Sequence, residues 1–340
     1  MTIPLDSPSR RELLAALGTA LIRPLSAAGP PAKILRGIFP IAQTPFTTGD
    51  KLDLDSLRAQ VAFLDRGGAH GIVWPQLASE WSTLSEAERM EGAEALLEAG
   101  RKLRPAVVIG VQSGDPGATA RLAKHAAQHG ADALIALPPA GVTQPQALLD
   151  YYREIGRTTD LPLFAQAVGA MSVEFLLEMV RAVPTLRYVK DEAGEPLMRI
   201  GPLREKTRDE LKIFTGAHGR TLIDEMARGS SGTMPAVSFA DLYAVVWDHW
   251  QAGRRREAME AFGRVLVFVT EVQVYGIESL KYILYLRGVF KTYQVRRPGR
   301  SAPSAGMLAA GGLEARGSLD EDARRLLGDM VEFARPWFRA

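Results

Sequence analysis

The chain has 340 residues, 46% hydrophobic and 24% charged, and carries a formal net charge of +2. That balance describes a globular protein of one large or two ordinary domains and excludes both a disordered chain and a strongly basic nucleic-acid binder. With no cysteine, disulfides, thiolate metal sites and cysteine nucleophiles are excluded as well.

Residues 1–33 read as a segment outside the fold. Ser9-Arg10-Arg11-Glu12-Leu13-Leu14 precedes an apolar run ending at Ile22, and Ser26-Ala27-Ala28-Gly29-Pro30-Pro31 follows. A basic stretch, a short apolar stretch and small residues have the layout of an export signal, here of the twin-arginine type, which favours the periplasm. The apolar run is too short to span a bilayer. An amphipathic helix, or a start codon assigned too early, is the alternative.

From Gly37 a short apolar run followed by an amphipathic stretch recurs eight times. Strands are expected over Ile38–Thr44, Gly71–Pro75, Ala106–Val111, Ala133–Pro138, Pro162–Ala167, Leu186–Asp191, Leu211–Thr215 and Gly232–Ala236. Helices are expected over Leu54–Arg66, Ser85–Leu103, Gly117–His129, Pro145–Thr158, Ser172–Val183, Pro196–Thr207 and Thr221–Arg228. Asp53, Ser85, Thr143 and Ser172 supply helix-start chemistry, and Gly67-Gly68, Gly130 and Gly229 supply stops. This alternation predicts an α/β fold, a (β/α)8 TIM barrel over 34–238. An additional C-terminal helical region, 239–340, holds helices over Phe239–Gly253, Arg254–Val272, Gly276–Arg287 and Ser318–Phe338. Arg296–Gly317, rich in Pro, Gly, Ser and Ala, reads as a flexible connection. Val265–Val269 and Tyr282–Leu286 are apolar nearly all round and must bury against the barrel or a second subunit.

Strand six, Leu186-Arg187-Tyr188-Val189-Lys190-Asp191, ends on a lysine and an acid, with Glu192 next. Side chains alternate along a strand, so Lys190 and Glu192 share one face and Asp191 takes the other. A lysine on a buried strand is costly to desolvate, and the same cost favours the neutral, nucleophilic amine. At pH 7 only about one free lysine in a few thousand is neutral, a handicap of roughly 4–5 kcal/mol that burial partly removes. Schiff-base chemistry on a carbonyl compound fits such an amine. A lysine snorkelling to solvent or to Asp191 is the plainer alternative.

Barrels of this kind place their chemistry where strands end. The rim residues are then Gln43-Thr44, Trp74 through Glu80, Gln112-Ser113, Pro138-Pro139-Ala140, Gln166, Lys190 with Glu192, Thr215-Gly216 with His218, and Thr233-Met234. Lys190-Asp191-Glu192-Ala193 on strand six, the opening Thr44-Pro45-Phe46, the Phe214-Thr215-Gly216 turn and Gly229–Pro235 together resemble the dihydrodipicolinate synthase / N-acetylneuraminate lyase family. The resemblance runs from Gly37 to the C-terminus. It implies a class I, lysine-dependent lyase or aldolase acting on pyruvate or another 2-keto acid, with Lys190 as the Schiff-base lysine and a dimer or tetramer as the assembly. No cofactor beyond the covalent imine is implied.

The same comparison brings out departures. Where the family has Gly-Thr-Thr-Gly-Glu, this chain has Gln76-Leu77-Ala78-Ser79-Glu80, without both threonine hydroxyls. The tyrosine that follows a proline at the end of strand four is replaced within Pro138-Pro139-Ala140-Gly141. Gln166-Ala167-Val168-Gly169 stands for Tyr-Asn-Val-Pro, and Met171 for an arginine found in some members. Apolar Leu77 and Ala78 offer a carboxylate only backbone N–H groups. Catalysis is therefore expected from Lys190 and Glu192, with Leu77, Ala78, Ala140, Gln166, Gly216, His218 and Met234 around a small carbonyl substrate. Glu192 is a candidate general acid–base and His218 a candidate anion contact; the alternatives are an ion pair of Glu192 with Lys190 or Arg187, and a solvated His218. A barrel that binds a small molecule without turnover is the other functional class left open. His125 and His129 are four residues apart, but no third ligand is visible in the sequence, so no metal site is expected.

Overall fold

The structure, a computed structural model, describes residues 33–169, 171–296 and 319–340. Residues 1–32 of the export-like segment and nearly all of the Arg296–Gly317 connection lie outside the described residues; Lys33 is described, and its Nζ donates to Gly100 O at 2.8 Å and Pro105 O at 2.9 Å.

Eight parallel strands form the centre: β1 (Gly37–Ile38), β2 (Gly71–Trp74), β3 (Ala106–Gly110), β4 (Ala133–Ala136), β5 (Leu163–Ala167), β6 (Leu186–Asp191), β7 (Lys212–Thr215) and β8 (Gly232–Thr233). They pair in the order β1-β8-β7-β6-β5-β4-β3-β2, and an isolated parallel bridge from Ile41 to Val73 joins the two end strands. β1 and β8 are shorter than Ile38–Thr44 and Gly232–Ala236 because Pro40 and Pro235 have no N–H to give the ladder. Pairing resumes beyond them, with Ile41 N donating to Pro235 O at 2.6 Å and Val73 N to Pro40 O at 2.9 Å.

Helices alternate with the strands: α1 (Leu54–Gly67), α2 (Glu86–Gly100), α3 (Pro116–Gln128), α4 (Pro145–Thr158), α5 (Val173–Ala182), α6 (Pro196–Thr207) and α7 (Leu222–Ala227). The Asp53, Ser85 and Ser172 side chains accept from backbone N–H groups at Ser56, Glu88 and Phe175, so these caps form as their residue types dictate. Thr143 does not cap; the cap position is Gln144, without a side-chain bond, and Pro145 fixes the first helical φ in its place. Gly68, Gly130 and Gly229 adopt φ between 83° and 85°, the left-handed turn that ends a helix.

After the barrel come α8 (Ala240–Gln251), α9 (Arg255–Leu286) and α10 (Glu321–Ala334). The break expected between Arg254–Val272 and Gly276–Arg287 falls inside α9, whose two helical stretches meet at a kink at Gly276. Gly276 alone leaves the helical region, at φ 65° and ψ −148°, and the helix resumes on its far side. Only glycine enters that conformation without strain, so Gly276 divides the two stretches where the second helix was expected to begin. On α9, Val265, Phe268 and Val269 are buried against the C-terminal helices, while Leu266 and Val267 stay 37% and 42% exposed.

Apolar side chains divide into three clusters: between strands and helices, among the C-terminal helices, and inside the barrel. The inner cluster contains Phe39, Phe164, Phe214 and Tyr188, with Phe164 stacked on Tyr188 at 4.4 Å and edge-on to Phe214 at 5.3 Å. A filled aromatic layer thus floors the upper half of the barrel.

The loop after β2 is tied to α9 by a buried charge cluster. Glu80 pairs with Lys281, which is fully buried and also donates to Gln294 O at 2.8 Å. Arg296, expected within a flexible connection, is anchored: its N–H donates to Glu80 Oε1 at 2.9 Å and its guanidinium to Glu88 and Asp50. Burial pulls the Lys281 ammonium below its ordinary pKa, and Glu80 opposes that shift. Glu80→Ala leaves this ammonium buried without its carboxylate, and a loss of about 3–5 kcal/mol in urea unfolding is expected. The double variant Glu80→Leu/Lys281→Met, which removes both charges, should recover most of that loss.

Candidate active site

The C-terminal end of β6 carries Lys190 inward. It is in register with Gln166 of β5 on one side and Phe214 of β7 on the other, so all three share the barrel interior. Lys190 is 5% exposed, and its Nζ lies 2.9 Å from Glu192 Oε2. It sits one layer above Tyr188 and the aromatic floor. Asp191, facing outward, pairs with Arg199 at 2.8 Å, and Arg199 also donates to Met171 O, fastening the end of β6 to α6 and the loop after β5.

Glu192 is held on three sides. Besides Lys190, its Oε2 accepts from Gln166 Nε2 at 2.5 Å and its Oε1 from Ala217 N at 3.1 Å. Burial alone would raise this carboxyl's pKa, but the charge of Lys190, its hydrogen bond and those of Ala217 and Gln166 hold it below the ordinary value. Gly216 makes the arrangement possible, since a Cβ there would lie 1.8 Å from Glu192 Oε1.

The Ala217 N–H reaches Glu192 because the backbone turns left-handed at three successive residues, Ala217 (φ 48°), His218 (φ 56°) and Gly219 (φ 61°). Two non-glycine residues in that region are strained. A hydrogen bond from the Tyr243 hydroxyl to His218 O braces the turn. His218 itself is buried, and its pKa falls to about 4 because burial disfavours the imidazolium more than Glu192 favours it. At neutral pH it is an uncharged ring beside the Lys190–Glu192 pair, and it offers hydrogen bonds rather than positive charge.

The remaining expected residues fall in two places. Ala78, in a short turn over Leu77–Ser79, and Met234, after β8, belong to the inner apolar cluster with Phe214; Leu77 is half-buried beside Ala78. Ala140 is apart from this group. It is exposed on a cavity of about 280 Å³ between the loops after β4 and β5, lined by Pro138, Pro139, Val142, Leu148, Met171 and Phe175 among others.

Four glutamines were visible at strand ends, yet only Gln166 was expected to act. All four, Gln43, Gln76, Gln112 and Gln166, are buried. Gln76 Nε2 donates to Gln112 Oε1 at 2.9 Å, and Gln112 Nε2 to Pro75 O at 2.8 Å. The side-chain oxygens of Gln43, Gln76 and Gln166 are buried without a protein donor, an arrangement that is costly unless a ligand or water supplies one. Arg89, not singled out in the sequence, is buried under β3 and donates to Gly110 O and Gln112 O at 2.9 and 2.8 Å. Burial brings its pKa down to about 10. Two hydroxyls at this rim are already engaged: Ser79, in the loop after β2, donates to Ala42 O and accepts from Gln76 N, and Thr44, in the segment after β1, accepts from Trp74 Nε1 and donates to Ser79 O.

Behind β7, Glu225 is buried and accepts from Thr215 at 2.5 Å and Thr221 at 2.8 Å. Burial outweighs those bonds and lifts its pKa to about 7.

The fold and this cluster define a (β/α)8 barrel whose polar site lies at the C-terminal strand ends, centred on a buried lysine–carboxylate pair. The Dihydrodipicolinate synthetase family model matches residues 34–305, and the chain belongs to that family. It is 32% identical over 280 residues to 4-hydroxy-tetrahydrodipicolinate synthase of Rhizobium meliloti, covering 79% of this chain and 93% of that protein. It is 27% identical over 275 residues to L-2-keto-3-deoxyarabonate dehydratase of Azospirillum brasilense, covering 77% and 88%. With 4-hydroxy-tetrahydrodipicolinate synthase of Methanosarcina mazei it shares 28% identity over 196 residues, 56% of this chain, and spans 66% of that protein's length. The crystal structure of N-acetylneuraminate lyase from Mycoplasma synoviae superposes with a TM-score of 0.74 at 21% identity, over 90% of this chain and 98% of that one. No helix among the described residues is long and apolar enough to cross a membrane.

Glu225 generates a pH prediction. Its folded pKa of about 7 lies above the ordinary carboxyl value of 4.5, so it binds a proton more tightly in the folded state. The stability this confers is complete below pH 4.5 and is lost as pH rises through about 7, to an extent on the order of 3 kcal/mol. Glu225→Gln should flatten the fall in unfolding free energy between pH 5 and pH 8; an unchanged slope would remove Glu225 as its source.

Proposed function

We propose that this protein is a lysine-dependent lyase, aldolase or dehydratase acting on a 2-keto acid, pyruvate or a sugar-derived keto acid, through an imine at Lys190. The observation that carries the reading is the inward-facing Lys190 with Glu192 Oε2 at 2.9 Å. An ammonium cannot attack a carbonyl, so its proton must leave first, and Glu192 is the acceptor within reach. The Lys190 nitrogen then bonds to C2 of the keto acid. As that bond forms the C=O π pair moves to oxygen, which takes one proton from the attacking nitrogen; the hydroxyl then leaves as water with the second proton returned by Glu192, and the protonated C=N bond forms. That cationic imine withdraws the electron pair of a neighbouring C–C or C–H bond, which leads to cleavage, condensation or loss of a β-hydroxyl.

Substrate contacts follow from the surrounding residues. Gln166 orients Glu192, and the unpartnered oxygens of Gln43, Gln76 and Gln166 suit a substrate rich in hydroxyl donors, which favours a sugar-derived keto acid over pyruvate itself. Carboxylate recognition at Leu77 and Ala78 is left to backbone N–H groups. The reaction has to run without the family's threonines after strand two and its tyrosine after strand four, so proton transfer is concentrated on Glu192, with neutral His218 as a hydrogen-bonding neighbour. Authentic dihydrodipicolinate synthase activity is not expected from such a site. A homodimer or tetramer belongs to the same proposal and would cover Leu266 and Val267 on α9. A second reading, binding without turnover, draws on how completely Glu192 is engaged in the resting site.

Reduction with borohydride in the presence of a panel of 2-keto acids, including 3-deoxy sugar acids, should attach one substrate per chain at Lys190, located by peptide mass spectrometry. Lys190→Ala should abolish the adduct while the fold persists. Trapping without product release would select the binding reading; no adduct with any keto acid would overturn the imine altogether. Gly216→Ala, whose methyl must displace Glu192 from Lys190, should slow trapping by at least about tenfold while leaving most of the stability intact.

A further inference from the structure

On the outer face of the barrel, α2 and α3 pack side by side, and three side chains meet across them. His125 and His129 lie one helical turn apart on α3 and its C-terminal cap, with rings 4.2 Å apart. Glu94, on α2, supplies the carboxylate: its Oε1 is 2.8 Å from His125 Nε2 and 3.7 Å from His129 Nε2. Each of the three residues can turn one ligand atom to within 4.8 Å of the other two. Among the described residues no lysine or arginine forms an ion pair with Glu94.

We propose that Glu94, His125 and His129 form a binding site for a single divalent transition-metal ion of the zinc class, clipping α2 to α3. Two imidazoles and a carboxylate, with a further position for water, are a donor set that such ions take. For ligands at ~2.0–2.1 Å from a tetrahedral ion, ligand atoms stand ~3.4 Å apart. The two distances to Glu94 Oε1, 2.8 and 3.7 Å, fall on either side of that value. Rotamer adjustments that open the shorter contact by about 0.6 Å and close the longer by about 0.3 Å bring both to that spacing.

At His129 the protonation pattern points the same way, whereas His125 Nε2–H donates to Glu94 Oε1 at 2.8 Å and must give up that proton when an ion binds. His129 Nδ1 lies 2.8 Å from His125 O, so Nδ1 carries the proton and donates it, and the lone pair is left on Nε2, the atom that faces Glu94. A backbone carbonyl fixing the far nitrogen is the usual support behind a metal-bound histidine. His125 is the more buried of the two, with its side chain 15% exposed, and Glu94 closes the set from the solvent side at 52%. The competing histidines are differently employed: His70 Nδ1 accepts from Ile38 N, His249 Nδ1 from Arg254 Nε, and His218 is enclosed beside Lys190. No thiol exists to compete. The site stands on helices outside the ring of strands and does not depend on the imine reading.

Untagged, chelator-treated full-length protein titrated with ZnCl2 should bind one equivalent per chain and melt at a higher temperature. Co2+ in place of zinc should give the visible absorption of a low-symmetry, four- or five-coordinate ion. His125→Ala/His129→Ala, two partly exposed positions on a helix, should remove both signals while the far-ultraviolet circular dichroism is unchanged. Glu94→Gln should weaken binding by about tenfold or more. Binding should also weaken in acid, because protons compete for the same nitrogens. Absence of saturable binding, or binding that persists in the double histidine variant or is indifferent to Glu94→Gln, overturns the site.

Discussion

A charged pair kept inside an apolar ring is the constraint on which the rest of this molecule depends. Lys190 and Glu192 are 2.9 Å apart over a layer of Phe39, Phe164, Tyr188 and Phe214. Neither charge would be tolerated there alone, since unpaired ions in such surroundings cost several kcal/mol each. Coulomb attraction is only part of the compensation. The carboxylate also takes the Gln166 amide and the Ala217 N–H, and the second of these exists only because three residues in a row turn left-handed. Local strain at Ala217 and His218 is thus coupled to electrostatics at Lys190. The hydroxyl of Tyr243, on α8, holds that strain from behind.

This coupling gives the helices beyond the barrel a role in the site. α8 braces the turn that feeds Glu192 its hydrogen bond, while α9 contributes Lys281 to Glu80 and so fixes the loop after β2. Arg287, capping the C-terminal end of α9, forks onto Asp241 of α8 at 2.9 and 2.7 Å and donates to Ala340 O, drawing the segment after α10 into the same framework. The barrel supplies direction, because its strands all end on one side. The C-terminal helices supply rigidity where the strands stop.

What could be read in the sequence follows from the range of the interactions involved. Strand and helix order were legible because alternation, caps such as Ser85 with Glu88, and stops such as Gly68 are local. The shared face of Lys190 and Glu192 was legible for the same reason, as a consequence of strand geometry at a spacing of two. Prolines at 40 and 235 were equally local signals for short outer ladders, but the strong apolar runs around them masked that reading. Gly276, by contrast, was read correctly as a local signal: the backbone leaves the helical region there, and the two expected helices meet at that kink. Partnerships across tens or hundreds of positions were not legible. Glu80 and Lys281 are 201 positions apart, Glu94 and His125 31, and nothing in the spacing of either pair announces the other.

The glutamines show how these two kinds of information combine. Each follows an apolar run, so their places at strand ends are local facts. Their meaning emerges only when the barrel closes and the ends converge, and then the pattern is chemical: amides where a hydroxyl- or phenol-based site would relay protons. An amide donates and accepts hydrogen bonds but does not titrate near neutrality. On the proposed reading such glutamines orient a polar substrate and leave the traffic in protons to Glu192, the carboxylate 2.9 Å from the Lys190 amine. On that reading the tethering of Glu192 by Gln166 and Ala217 has a catalytic use. If it alone moves protons to and from the lysine, its position matters more than its exposure, and Gly216, Gln166 and the strained turn at Ala217 all act on that position.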